Sequence, residues 1–125
     1  MKVRAKLALA VVLSLAGAAP QAVAHHSFAM FDQTKVLRLD AVTVSEFHWT
    51  NPHTYVVVDV KTGTGTTSYL LECSSTNMMS QSGWKFNTIK PGDKLNIELY
   101  PLRNGKPGGM LKTITLASGK TLKAW

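Results

Sequence analysis

The stretch KVLRLDAVTVSEF, residues 35–47, alternates apolar and polar side chains, but not in a single phase. Leu37, Leu39 and Ala41 share one face of an extended chain, and the alternation then restarts on Val42 and Val44. Successive side chains of a strand point to opposite faces, so a phase change without a turn residue marks a bend or bulge within one continuous strand. A small closed barrel needs a long first strand of this kind, because one strand must curve to serve both halves.

Asn51-Pro52 breaks the chain after this strand. Thr54–Val60 is β-branched with Val56, Val58 and Val60 on one face, and Gly63–Gly65 turns it into Thr66–Glu72, completing a meander. The period changes between Cys73 and Trp84, where Ser75 or Thr76 can cap a helix of about two turns that runs through Met78, Met79 and Gln81 and stops at Gly83. Lys90-Pro91-Gly92-Asp93 is a turn, Leu95, Ile97 and Leu99 form the next alternating strand, and Pro101 is expected to end it. A loop over Gly105–Gly109, a fifth strand over Met110–Leu116, a turn at Ser118-Gly119 and a tail strand over Thr121–Trp125 complete the chain. The expected class is all-β with one short helix, in the order of a five-stranded barrel of the oligonucleotide- and oligosaccharide-binding (OB) type; a small β-sandwich of the same strands is the alternative.

Ahead of this domain, Lys2, Arg4 and Lys6 precede the apolar run Leu7–Ala19, and Ala22-Val23-Ala24 supplies an A-x-A cleavage site. Residues 1–24 thus read as a secretory signal peptide, too short in its apolar part to span a bilayer comfortably, and residues 25–125 as a single domain. No second long apolar run and no lipid-attachment Cys follows, so the expected product is soluble, without a membrane span, in the periplasm. Losing three basic residues lowers the formal charge from +7 to +4. The remaining lysines are scattered, which argues against a nucleic-acid partner, whose footprint requires clustered charge. The single Cys73 excludes an intrachain disulfide and reads as buried rather than reactive.

Chemistry-bearing residues are few. Cleavage after Ala24 would make His25 the amino terminus, followed by His26. An amino-terminal His offers its free amine and its ring nitrogen, and one further imidazole completes the T-shaped nitrogen set that suits tetragonal Cu(II). His48 and His53 flank the Asn51-Pro52 break; an odd separation places them on opposite faces of an unbroken strand, but the break can reset the phase. Glu72, at the end of the adjoining strand, could ligate a metal or hold an imidazole in its tautomer. Each also has a plainer reading. Paired terminal histidines can simply be solvated, His48 can sit on a rim, Met78 and Met79 can fill the helix core despite their soft thioethers, and Trp49 and Trp84 can pack.

The runs HHSFAMFD (25–32), FHWTNPHTYVVVDV (47–60), LECSSTN (71–77), GWKFNTIKPGDKLNI (83–97) and GGMLKTITLASGKTL (108–122) resemble a family of small exported bacterial proteins of unknown function. The resemblance covers nearly all of residues 25–125 and implies a barrel-like β fold and an exported location, but no activity. It points to His25, His26, Trp49, Asn51, His53, Glu72, Asn77 and Trp84. The sequence departs from the pattern at His48, where an acidic residue is expected, and at Met78-Met79, where the family is Leu-containing and more basic.

Three functions are compatible with these residues. The first is a periplasmic metal-binding module, with copper as the ion and His25, His26, His53, Glu72 and His48 as candidate ligands. The second is a barrel that binds a small ligand or a protein partner without metal, using Trp49, Asn51, Tyr55, Asn77 and Trp84 as an aromatic and polar surface for a sugar, peptide or quinone-like ring. The third is a copper redox enzyme or enzyme subunit. Because no nucleophile-plus-base arrangement and no phosphate loop is present, a binding module is expected ahead of an enzyme.

Overall fold

The computed structural model describes residues 28–125. The expected signal peptide, His25 and His26 lie outside the described residues. Strands β1 (Leu37–His48), β2 (Tyr55–Thr62) and β3 (Gly65–Glu72) precede helix α1 (Thr76–Gln81), followed by β4 (Lys94–Pro101), β5 (Gly108–Thr115) and β6 (Thr121–Lys123).

The bend in the first strand is where the phase change places it. The amino-terminal half of β1 pairs with β4 and its carboxy-terminal half with β2, both antiparallel, with register shifts between Leu39 and Val42 and between Val44 and Glu46. At the first shift Ala41 takes a φ of 51°, in the left-handed region, and its N–H donates to Asn96 Oδ1 at 2.9 Å instead of to a ladder carbonyl. That rotation is what turns Val42 and Val44 inward, each 1% exposed.

Closure comes from β3 and β5, which pair in parallel through Leu70–Gly108, Leu71–Gly109 and Glu72–Met110. The strands therefore run β1-β2-β3-β5-β4 and back to β1, a closed five-stranded mixed barrel, with β6 added beside β5. The seam separates the barrel from the sandwich alternative. Glycines at 108 and 109, read from sequence as loop, belong to β5 because only a residue without Cβ fits there: a Cβ on Gly108 would lie 2.9 Å from Leu70 O, and one on Gly109 would overlap Tyr100 O. Pro101 likewise continues β4 by one residue, pairing with Gly109, and its carbonyl accepts from Asp32 N–H at 2.8 Å.

The interior is filled by alternate residues of these strands, among them Val56, Val58, Leu71, Leu99, Leu111 and Ile114. Helix α1 adds one side chain to this core. Ser75 caps it by accepting from Met78 N–H, Met79 is fully buried, and Met78 is half exposed, so only the second methionine belongs to the core. Trp84 packs beside it at 1% exposure and donates Nε1–H to Lys123 O at 2.8 Å. Among the described residues no helix is long and apolar enough to cross a membrane.

Candidate functional site

The Asn51-Pro52 break delivers His53 to the edge where β2 and β3 meet. Thr54, immediately after it, exchanges backbone hydrogen bonds with the chain leaving β3: Thr54 N–H donates to Ser74 O at 2.9 Å and Cys73 N–H to Thr54 O at 2.8 Å. Tyr55 then pairs across the ladder with Glu72. These contacts place the His53 ring beside the end of β3, with Nδ1 3.0 Å from Cys73 O and 3.4 Å from Glu72 Oε1. A carbonyl oxygen only accepts, so Nδ1 carries the hydrogen and donates it to Cys73 O. The neutral imidazole then keeps Nε2 as a lone pair, able to take a proton or a metal ion, which is the outer hydrogen bond that metal-ligating histidines characteristically make.

Aromatic rings wall the pair. Trp125 lies 5.7 Å from the His53 ring and donates Nε1–H to Glu72 O at 3.3 Å; Tyr55 approaches His53 edge-on at 6.5 Å, and Phe28 meets Trp125 edge-on at 5.3 Å. The Glu72 side chain is 15% exposed, and burial raises its pKa above the usual carboxylate range while His53 pulls it back. Burial, and then the charge of Glu72, push the Tyr55 phenol up as well. The Cys73 thiol is fully buried and shifted far upward by burial, so Cys73 serves the site through its carbonyl. Beside Glu72 and Tyr55 a hollow of about 170 Å³ is completed by Met30, Phe31, Leu70, Leu102, Pro107 and Gly109.

The other sequence candidates are placed elsewhere. His48 turns to its own strand, with Nε2 2.6 Å from Glu46 Oε2, both side chains exposed. Asn51 Oδ1 accepts from Thr76 N–H and Oγ1–H, both at 3.0 Å, and so ties the Pro52 corner to the start of α1. Asn77 is exposed on α1. Trp49 packs edge-on against Phe47 at 5.9 Å, and Trp84 is in the core, so Trp49, Tyr55 and Trp84 do not make one stacking surface. Among the described residues no group of three or more His, Cys, Asp or Glu side chains could hold a metal ion, and His53 with Glu72 is a pair. A further hollow of about 320 Å³ is lined by Arg38, Asp40, Asn96 and Glu98; within it Arg38 pairs with Glu98 at 2.8 Å, and Glu98 also takes Lys112 at 3.4 Å.

Trp125, Phe28 and the Cys73 carbonyl belong to the site and were not legible as such. An aromatic residue at the end of a tail strand carries no local signal, and a backbone acceptor carries none at all.

No curated protein and no solved structure matches the chain. Residues 11–112, which contain the His-His-Ser-Phe run, the Asn-Pro-His corner and Glu72, match a family described as one of unknown function (DUF6152). A match over most of the chain places the protein in that family.

Proposed function

We propose that this protein is a small periplasmic metal-binding barrel, with copper as the ion, whose ligands are the His25 amine and ring, the His26 ring and His53 Nε2, supported by Glu72. The observation that carries the proposal is the donation of His53 Nδ1–H to Cys73 O at 3.0 Å, which fixes the tautomer and presents the other nitrogen as a donor. The donor set is imidazole and amine nitrogen with one carboxylate, the combination that suits Cu(II) in tetragonal geometry. Chain connectivity supports the pairing of terminus and corner. Phe28 contacts Trp125, which contacts His53, and His26 precedes Phe28 by two residues, a span of at most about 7 Å. Glu72 either completes the coordination or orients the ring from beside it.

The test compares protein beginning at a free His25 with protein carrying one extra alanine ahead of it, and with His53→Ala. Cu(II) titration and electron paramagnetic resonance should show weaker binding and altered nitrogen coupling in both altered forms. Equal affinity and identical spectra for the free and the extended terminus would refute an amine ligand.

A further inference from the structure

We infer that the outer face of β4, β5 and β6 binds an acidic oligosaccharide, a chain of sugar units carrying carboxylates, with Tyr100 and Trp125 as stacking platforms and Lys112 and Lys123 as counter-charges. None of these residues is a metal ligand in the reading above. Along β4 the buried Leu95, Ile97 and Leu99 alternate with Asn96, Glu98 and Tyr100, which point outward. On β5 the register shifts: Glu98 pairs with Thr113 but Leu99 with Leu111, so Lys112 is an extra residue, a β-bulge. Lys112 and Thr113 therefore both lie half-buried on the outer face, although they are successive residues, between the buried Leu111 and Ile114. On β6, Thr121 and Lys123 are exposed on either side of the buried Leu122.

Two hollows share Thr113 on this face. One, of about 230 Å³, is bounded by Tyr100, Trp125, Lys112 and Lys123; the other, the hollow of about 320 Å³ beside it, presents Asn96, Thr115 and Thr121. Together they fall within the about 300–1,000 Å³ of small-molecule sites, and their division suits successive rings rather than a single one. The Trp125 ring is set in place in advance, by its hydrogen bond to Glu72 O at 3.3 Å and by the neighbouring rings of Phe28 and His53. An aromatic face carries negative charge density and so attracts the C–H face of a sugar ring. Lys112 Nζ lies 6.0 Å from the Tyr100 ring centroid. The single carboxylate of Glu98 is shared by Arg38 and Lys112, and among the described residues Lys123 has no ion-pair partner, so the aromatic end is cationic. Asp40 borders only the larger hollow, where hydroxyls and an amide take over, which suits the uncharged groups of a polyol. A nucleic acid would ask for a longer track of cations than this pair.

The experiment titrates the processed chain with tetramers of galacturonate and of mannuronate, and with the same tetramers methyl-esterified at their carboxyls, by calorimetry and tryptophan fluorescence. At least one acid tetramer should bind, lose affinity as salt is added, and bind about tenfold or more tightly than its ester. Lys112→Gln and Lys123→Gln should each weaken it about tenfold, and Trp125→Ala by about as much with loss of the fluorescence change. Trp125→Phe, which keeps a ring, should retain most of the affinity, and Lys61→Gln, which removes an exposed charge on β2, should retain all of it. Failure of both acid tetramers to bind would overturn the inference, as would equal binding of acid and ester. A loss in Lys61→Gln equal to that in Lys123→Gln would reduce the face to unspecific charge and overturn it too. A single-stranded oligonucleotide that binds as tightly as the acid tetramers, and is weakened by the same variants, would overturn the sugar as occupant.

Discussion

Gly109→Ala tests whether barrel closure depends on the backbone approach at the β3–β5 seam. Gly109 sits between Leu71 of β3 and Pro101 of β4. A methyl group there overlaps Tyr100 O and lies 2.7 Å from Leu99 Cδ1, where carbon atoms normally sit about 3.5–4.0 Å apart, so the strands must separate by about 1 Å. Leu99 is fully buried and cannot swing away. Overfilling a packed core costs about 1–3 kcal/mol, and if the three-residue parallel seam yields, each ladder hydrogen bond lost adds about 1 kcal/mol. A total of about 3–5 kcal/mol is a large part of the about 5–15 kcal/mol that stabilises a domain, and lowers the melting temperature by about 15–30 °C. The assay is thermal and urea unfolding followed by tryptophan fluorescence and circular dichroism. Gly105→Ala is the comparator: at φ +75° with nothing within 4 Å of its Cβ, it carries only the conformational cost of about 1 kcal/mol. Because Glu72 and Met110 form the last pair of the seam, copper affinity should fall with closure in Gly109→Ala. A Gly109→Ala protein no less stable than Gly105→Ala would refute the argument from close approach.

Ala41→Gly should stabilise the protein by about 0.5–1 kcal/mol, since φ 51° is strained for alanine and free for glycine; a lower urea midpoint than that of the unaltered chain would contradict this. Glu72→Gln addresses a carboxyl whose folded pKa is raised by burial. Such a group supports folding below about pH 4.5, and that support is lost as pH rises through the folded pKa, so the substitution should raise metal-free stability at neutral pH, flatten the slope above pH 4.5, and weaken copper binding, read from urea midpoints across pH and from titration. Asp32 has the opposite sign. Its pKa is held at about 2, below the ordinary 3.8, by hydrogen bonds from Thr34 and by Lys35, so its contribution is present above 3.8 and disappears as pH falls toward 2; Asp32→Asn should remove that acid-side loss in the same assay.

The fold was legible wherever side-chain period carried the information. The phase change in residues 35–47 locates the bulge at Ala41, and the Val56, Val58, Val60 stripe is the inner face of β2. The seam was not legible, because two glycines signal a loop to any reading of local propensity, and only the strand lying against them shows why a side chain is excluded. At the site, the family resemblance singled out His53 and Glu72 and departed at His48, but the residue spacing by itself did not separate the two histidines. Their five-residue spacing was ambiguous across the Asn51-Pro52 break, and the outcome turns on tertiary partners: the Cys73 carbonyl for His53, Glu46 for His48. Trp84 was ambiguous for the same reason. An aromatic ring with one N–H serves a core or a rim equally well until its acceptor, here Lys123 O, is known.

Thr54, between His53 and Tyr55, distinguishes what holds the site from what merely accompanies it. Its side chain is fully buried, and among the described residues its Oγ1 has no hydrogen-bond partner, a state that costs about 1–3 kcal/mol for a group removed from water. Its backbone is fully used, donating to Ser74 O and accepting from Cys73 N–H, and this exchange brings the Cys73 carbonyl to His53. If the backbone alone positions the imidazole, valine, which keeps the branched shape and discards the hydroxyl, should serve equally well. Thr54→Val is therefore expected to stabilise the protein by about 1–2 kcal/mol in urea unfolding and to leave Cu(II) affinity and its resonance spectrum unchanged. A destabilised Thr54→Val protein would mean that the hydroxyl has a partner in solution. A stable one with a shifted spectrum would mean that the corner is set by the side chain, and the account of how β2 and β3 deliver His53 to Glu72 would have to be rebuilt around that hydroxyl.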